Sequence, residues 1–301
     1  MEKIIDLIVS NNENIFGKNP KIKKINVGFT NTIYEINDSF IVKICSNVNN
    51  EENFKKEIDF YNKNNDNTLI PKLYYSNIDK KIIPYYYEII EKIKGVSLYN
   101  VWHKYNESER EHIIKQLCAF MKQMHSIKGN NYNWSEYFKN SFITIYDRIK
   151  ELNIFNNNEE SMLKEAYTNF DKYLDSSEFV LIHNDLHFDN IFVDNGTIKI
   201  IDFERSMYAP KDFELDIIYR MIRKPWKFAS EENEKYTKLS DYENIISYIS
   251  KYYPEIIDTP NLYKRLAIYD IVYFMRQLEE YPHLEELKLD VLKSVKLVIQ
   301  K

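Results

Sequence analysis

Two carboxylates and one amide have a spacing along the sequence that fits phosphoryl transfer. His183-x-Asp185-x-x-x-x-Asn190 is followed by Asp202, which comes directly after the apolar run 198–201. A carboxylate beside a substrate hydroxyl can take its proton while the hydroxyl attacks a phosphate, and Asp185 is the predicted general base. Mg²⁺ takes oxygen ligands and bridges phosphates, so Asn190 and Asp202 are the predicted metal ligands. A single Asp is often only a turn residue. The order Asp185, Asn190, Asp202 nevertheless favours a catalytic role.

These residues lie in segments that resemble the aminoglycoside phosphotransferase family, and most closely the aminoglycoside 2''-phosphotransferases. The resemblance covers nearly the whole chain and is carried by Ile-Tyr-Glu-Ile-Asn at 33–37, Lys-Ile-Lys-Gly-Val at 92–96, Leu-Ile-His-Asn-Asp at 181–185 and Ile-Ile-Asp-Phe at 200–203. It implies an α+β fold of the bilobal protein-kinase-like type. A small β-rich N-lobe (1–90), a hinge (91–95) and a larger, mostly helical C-lobe (96–301) are expected.

The resemblance implies an enzyme that transfers the γ-phosphate of ATP or GTP to an aminoglycoside hydroxyl, a reaction that confers antibiotic resistance. A kinase of another small alcohol, such as choline, homoserine or a sugar, stays open because acceptor contacts vary within one fold. A nucleotide-binding protein without catalysis is disfavoured, because the predicted base, the predicted metal ligands and a candidate phosphate-binding lysine, Lys43, are all present. A protein kinase is disfavoured because Ala-Pro-Lys-Asp at 209–212 stands in place of Ala-Pro-Glu.

Lys43 is the predicted phosphate-binding lysine. It lies in the apolar run 40–44, where a charged side chain needs a partner or a ligand. Glu57, on the helix predicted next, is its expected partner, as in the Lys–Glu pair of kinases. An edge-strand lysine that discourages aggregation is the simpler alternative.

Two further segments are predicted to bind the nucleotide. Segment 27–32 contains Gly28 and Asn31 and could hold phosphates with backbone amides. Its single glycine is a weak signal, and a plain hairpin turn is equally compatible. The hinge should bind the base through the backbone of Glu91 and Ile93, which leaves ATP and GTP both open.

Carboxylates near the catalytic loop are the predicted acceptor contacts, because aminoglycosides are polycations. Asp189, Glu204 and Glu214 are the candidates. Glu204 replaces the Gly of the Asp-Phe-Gly sequence of protein kinases. The nearby Asp212 and Asp216 resemble a structural pair of the family at a helix start.

Composition excludes several classes of protein. The 301 residues carry a net charge of −5, with no basic surface for nucleic acid. No apolar run is long enough for a membrane span, and the charged N-terminus does not resemble a signal peptide. Cys45 and Cys118 show no paired spacing and are predicted to be buried thiols. We expect a monomeric, cytoplasmic enzyme.

Hydrophobic periodicity predicts strands at 21–27, 32–36, 40–45, 71–75 and 82–90, and a helix at 51–63. Segment 179–202 is predicted to be β-rich. Helices are predicted elsewhere, at 1–9, 107–127, 138–152, 159–174, 241–253, 262–279 and 284–300. Ser108 and Glu111 form a predicted capping box at the start of helix 107–127.

Overall fold

The computed structural model of the protein describes residues 2–25, 31–175, 178–229 and 231–300. Its strands are β1 (Ile22–Ile25), β2 (Thr32–Ile36), β3 (Phe40–Ile44), β4 (Leu73–Asn77), β5 (Tyr87–Glu91), β6 (Val96–Ser97), β7 (Val180–Ile182), β8 (Ile191–Asp194), β9 (Thr197–Ile200) and β10 (Met207–Ala209). Its α-helices are α1 (Glu2–Asn11), α2 (Glu13–Phe16), α3 (Glu51–Asn64), α4 (Leu98–Val101), α5 (Glu107–His125), α6 (Trp134–Lys150), α7 (Asn157–Thr168), α8 (Phe170–Tyr173), α9 (Leu215–Arg223), α10 (Glu231–Glu234), α11 (Ile245–Tyr252), α12 (Pro254–Ile257), α13 (Leu262–Glu280) and α14 (Glu285–Ile299).

The chain divides into two compact units, each built from three stretches. The first unit contains Met1–Leu117, Asp185–Ser206 and Pro225–Asp241, and the second contains Cys118–Asn184, Met207–Lys224 and Tyr242–Lys301. The predicted boundaries, 1–90, 91–95 and 96–301, differ from these because residues 96–117 and 185–206 group with the N-terminal sheet. The division into lobes at the hinge stays a prediction.

The first unit is built around an antiparallel sheet in the order β1-β2-β3-β5-β4. Helix α1 contributes Ile5 and Ile8 to the same core as Val42, Ile44 and Ile89 of the sheet. Successive side chains of a strand point to opposite faces, so Lys43 points away from this core. The sheet therefore presents Lys43 on the face opposite to that of Val42 and Ile44.

A second, three-stranded sheet, β6-β8-β9, supports the catalytic segment. Gly95, just before β6, has φ +97°, and a Cβ there would lie 2.2 Å from the carbonyl oxygen of Val193. A side chain cannot fit so close to a backbone atom, so this approach of β6 to β8 requires glycine.

The second unit is mostly helical and is organised around α13. This helix packs against α6 and α14 and has a nearly continuous run of buried residues from Arg265 to Val272. Trp134 of α6 donates a hydrogen bond from its indole nitrogen to the Tyr269 hydroxyl over 3.0 Å. A short two-stranded sheet pairs β7 with β10.

The structure confirms the predicted α+β class, with a β-rich N-terminal part and a mostly helical remainder. The predicted capping box was wrong. Asn106, and not Ser108, caps α5, since Asn106 and Glu109 exchange side-chain-to-backbone hydrogen bonds of 2.8 and 3.1 Å. Ser108 already lies inside the helix, where it cannot cap the start.

Both cysteines lie among the described residues. Cys45 and Cys118 are free and buried, as predicted. Among the described helices, none combines the length and the apolar character that crossing a bilayer would require.

Candidate active site

Lys43 and Glu57 form a buried ion pair in the first unit. Lys43 extends from β3 and Glu57 from α3, and Nζ lies 2.6 Å from Oε2. Burial opposes the charge of Lys43, but Glu57, Asp202 and Glu204 outweigh it and hold the lysine pKa well above its ordinary value. Burial raises the pKa of Glu57 to about 7, although Lys43 acts in the opposite direction. The predicted partners are therefore in contact, and Lys43 keeps its charge.

Asp202 is held next to this pair by the residue that follows it. The Phe203 ring stacks on Phe60 of α3 with centroids 3.9 Å apart, and its N–H donates to Glu57 Oε1 over 3.2 Å. Asp202 has φ +68°, a strained backbone for a residue other than glycine. Its Oδ1 lies 3.3 Å from Lys43 Nζ, and its side chain is 42% exposed.

The predicted base and its loop partner lie within the same unit. Asn190 Nδ2 donates to the Asp185 carbonyl over 2.9 Å and reaches Asp185 Oδ2 at 3.4 Å. The Asn190 carbonyl accepts the N–H of Ile201 over 3.0 Å. This last bond ties the loop of Asp185 to the residue directly before Asp202, so the structure brings both predicted metal ligands together.

Asp185 itself is partly exposed and has charged neighbours at longer range. Its carboxylate lies 3.8 Å from His187 Nε2 and 3.9 Å from Arg205 Nε. The Asp185 side chain is 16% exposed, so an entering hydroxyl can reach it while most of it stays fixed. This accessibility suits a general base.

Glu204 does not occupy the predicted acceptor position. It is buried, 2.7 Å from Lys43 Nζ, and accepts hydrogen bonds from the side chains of Asn31 and Asn50. Its oxygens are therefore engaged inside the unit. The predicted contact of Glu204 with an acceptor is not supported.

Glu214, in the second unit, is likewise unsuited to bind an acceptor. It is fully buried, and its carboxylate accepts the backbone N–H groups of His183 and Asn184 over 2.7 and 3.0 Å. Burial opposes its charge, but His125 and His183 lower its pKa below the ordinary value. Glu214 therefore supports the start of the catalytic loop, where Asn184 has φ +62°.

Asp189 is the predicted acceptor carboxylate that remains exposed. Its Oδ1 accepts a hydrogen bond of 2.7 Å from the Ser97 hydroxyl. A second Asp189 oxygen is left for solvent or a ligand, so its acceptor role stays a prediction.

A cavity of about 380 Å³ opens beside Lys43 in the first unit. Its size falls within the range of small-molecule sites. Gly28 lies outside the described residues, whereas the other predicted nucleotide contacts line the cavity together with aliphatic side chains. The lining comprises Ile25, Asn31, Ile33, Ile41, Lys43, Glu57, Tyr61, Pro71, Ile90, Glu91, Lys92, Ile93, Phe192, Ile201 and Asp202.

Asp202 is the carboxylate near Lys43 that best suits Mg²⁺. One oxygen each from Glu57, Asp202 and Glu204 lie within 4.8 Å of one another. Hard oxygen ligands of this kind suit Mg²⁺. Asp202 is the most exposed of the three, so it can ligate a metal that enters with phosphates.

One buried carboxylate was missed by the sequence analysis. Glu88 lies opposite Lys43 in the register of β3 and β5, is fully buried, and accepts no hydrogen bond from the described residues. Burial, and then Glu57, hold its pKa well above the ordinary value. Glu88 interrupts an apolar strand as Lys43 does, and this signal could have identified it.

Comparison with known proteins agrees with this geometry. The model of the phosphotransferase enzyme family matches residues 21–243. The chain belongs to this family. It is therefore a phosphotransferase that acts on an alcohol group, as predicted. A search of curated proteins by sequence gave no match.

Solved structures extend the similarity to almost the whole chain. ADP-bound aminoglycoside phosphotransferase APH(2'')-Ib has a TM-score of 0.70 at 17% identity, with 98% of this chain and 99% of that chain covered. The gentamicin complex of APH(2'')-IIa has a TM-score of 0.66 at 17% identity and coverages of 98% and 95%. A 2''-phosphotransferase bound to GDP and kanamycin has a TM-score of 0.65 at 14% identity and coverages of 98% and 99%. These matches confirm the kinase-like fold.

Proposed function

We propose that this family member is an aminoglycoside phosphotransferase that uses ATP or GTP with Mg²⁺, acts as a monomer in the cytoplasm, and confers resistance. The observation that carries the proposal is the hydrogen bond between the Asn190 carbonyl and the Ile201 N–H. It joins the loop of Asp185, the proposed base, to the residue before Asp202, whose carboxylate lies 3.3 Å from the ammonium of the buried Lys43. Similar structures bound to gentamicin and to kanamycin support the acceptor class.

Each of the proposed site residues has its own role in this reaction. The cavity holds the base of the nucleotide between aliphatic side chains, and Lys43 neutralises phosphate charge. Asp202 and Asn190 would hold Mg²⁺, which would supply positive charge to neutralise the phosphates. Asp185 orients the acceptor hydroxyl and takes its proton. Asp189, which follows Asp185 in the same loop, is exposed and can bind the positive charge of a cationic acceptor.

A coupled assay of nucleotide turnover tests the proposal. Purified protein is mixed with ATP or GTP and with gentamicin, kanamycin, choline, homoserine or a sugar, and Asp185→Asn serves as the control for contaminating kinases. We expect aminoglycosides alone to stimulate turnover and a susceptible bacterium that expresses the protein to become resistant. Stimulation only by choline, homoserine or a sugar would show that the acceptor class is wrong.

A further inference from the structure

The carboxylate of Glu204 lies where a phosphate of a bound nucleotide would be expected. Its Oε1 is 2.7 Å from Lys43 Nζ, and the carboxylate is buried next to Lys43 and Asn31, which both line the cavity. Lys43 also contacts Glu57 at 2.6 Å and Asp202 at 3.3 Å. The lysine is thus surrounded by three carboxylates.

The groups that hold Glu204 are all hydrogen-bond donors. Lys43 supplies an ammonium, while Asn31 and Asn50 (2.9 Å) supply side-chain amides. A cation with converging N–H donors is the set that binds phosphate oxygens. Asn31 also lines the cavity and belongs to segment 27–32, which the sequence predicts to hold phosphates. These donors are therefore complementary to an anion and not specifically to Glu204.

Glu204 and a phosphate cannot occupy these donors together. Both anions would need the same ammonium and amide donors, and a phosphate would add negative charge beside Glu57 and Asp202 in a buried position where solvent screens little. Glu57 keeps Lys43 oriented whichever anion is present, because its other oxygen is also fixed by the Phe203 N–H at 3.2 Å. Glu204 is held by side chains, and within the described ranges no backbone N–H donates to its carboxylate, so it is the carboxylate that can withdraw.

We propose that Glu204 is an internal stand-in for a nucleotide phosphate, which fills the phosphate position on Lys43 and must leave it when the nucleotide binds. Glu204 therefore sets the affinity for the donor nucleotide. This inference rests on the proposed role of Lys43 in phosphate binding. It also explains why a carboxylate, at the position of the protein-kinase Gly, lies inside a site that must accept an anion.

The first test compares Glu204→Gln with the wild type by calorimetric titration of ATP and of adenosine, each with EDTA and with Mg²⁺. Gln has nearly the same shape but does not compete as an anion. We expect ATP to bind about tenfold more tightly to the variant, because a competing buried charge is removed. Adenosine has no phosphate, so its affinity should stay within about twofold of the wild-type value.

The second test leaves every charge in place. Asn50→Ala removes one donor that holds Glu204, and ATP binding should tighten about threefold while adenosine binding stays constant. Asn49→Ala is the matched control, since Asn49 is an exposed neighbour in the same turn and its bond to Asn47 comes from its backbone N–H, which alanine keeps. It should leave both affinities unchanged. Thermal unfolding shows whether each variant is folded.

Different outcomes identify different errors. Unchanged or weaker ATP binding to Glu204→Gln and Asn50→Ala would overturn the proposal. A loss of ATP binding to Glu204→Gln only with Mg²⁺ would make Glu204 a metal ligand, and this would also overturn it. Tighter binding of ATP without transfer to any acceptor would support the stand-in while the proposed function fails. Wild-type protein that binds no nucleotide would contradict both.

Discussion

The two units bury their charges differently. In the first unit, four carboxylates surround a single ammonium group, that of Lys43. They are Glu57, Glu88, Asp202 and Glu204, and burial or mutual repulsion raises the pKa of Glu57 and Glu88. The cluster has an excess of potential negative charge that its own residues do not neutralise.

The second unit pairs three of its buried carboxylates one to one with guanidinium groups. Asp212 accepts two hydrogen bonds from Arg265, at 2.7 and 2.9 Å, and one from the Tyr269 hydroxyl at 2.8 Å. Arg220 pairs with Asp216, and Arg223 lies 2.7 Å from Asp270. Three carboxylates thus meet three guanidinium groups.

The contrast separates structural charges from functional ones. A balanced buried network satisfies itself, and removing one member leaves an uncompensated charge that destabilises the fold. An unbalanced cluster lacks a cation and is typical of a site completed by a ligand. The excess of carboxylates around Lys43 therefore supports the proposed placement of the chemistry in the first unit.

The largest effect is expected for Asp185→Asn. Turnover should fall by about 10²- to 10⁴-fold because the positioned base is lost. Steady-state kinetics and nucleotide titration measure the change, and nucleotide affinity should persist. Asp194→Asn, an exposed change in the same unit, is the control and should keep full turnover. Near wild-type kcat in Asp185→Asn would remove this residue from the chemistry.

Arg265→Met should break the balance of the second unit. We expect the free energy of unfolding to fall by about 3–5 kcal/mol, because Asp212 is left buried and unpaired. Urea denaturation measures this, and kcat of the folded fraction should be retained. Arg276→Met, an exposed change on the same helix, should cost less than about 0.5 kcal/mol. Equal stability of the two variants would show that the network does not hold the unit.

The pH dependence of stability should contain a contribution from Asp270. Burial raises its pKa from 3.8 to about 6, although Arg223 opposes this. Between these values the folded protein binds more protons than the unfolded chain, so stability falls as pH rises from about 4 to about 6, by up to about 3 kcal/mol. Asp270→Asn should remove this slope in urea titrations at several pH values. The exposed control Asp258→Asn should keep it, and an unchanged slope in Asp270→Asn would contradict the assignment.

The smallest effect on stability is expected for Asp202→Ala. Removing one carboxylate from an over-negative cluster should change the free energy of unfolding by less than about 1 kcal/mol. The Mg²⁺ dependence of nucleotide binding should nevertheless disappear, because Asp202 is the proposed metal ligand. Calorimetry with and without Mg²⁺ tests this, with Asp194→Ala as the control. Retained Mg²⁺ dependence would exclude Asp202 as a ligand.

The sequence predicted features that depend on local pattern. The strands and the helix around Lys43 and Glu57 follow from periodicity, and the contact between β3 and the helix that follows it, α3, brings the two charges together. The spacing of Asp185 and Asn190 likewise fixes a hydrogen bond within one loop. Such contacts join residues that are close in sequence or in neighbouring elements.

Features that depend on distant packing were not predicted. Glu204 and Glu214 look like surface carboxylates in the sequence, yet each is buried by partners far away along the chain, at Lys43 and His125 respectively. Burial of an acidic residue reflects tertiary contacts and not local composition. Glu88 was not predicted either, although its apolar strand neighbours indicate burial.

The three-stretch construction of the first unit has a consequence for its synthesis. Ribosomes deliver the chain from the N-terminus, so β1–β5 and α3 emerge well before Phe203. Until then Phe60 lacks the ring that stacks on it at 3.9 Å, and Glu57 lacks the N–H that fixes one oxygen. The nascent sheet should consequently expose an apolar face while about a hundred further residues are translated, a stage at which chaperones bind. Completion of the phosphotransferase site is thereby postponed until the late part of translation.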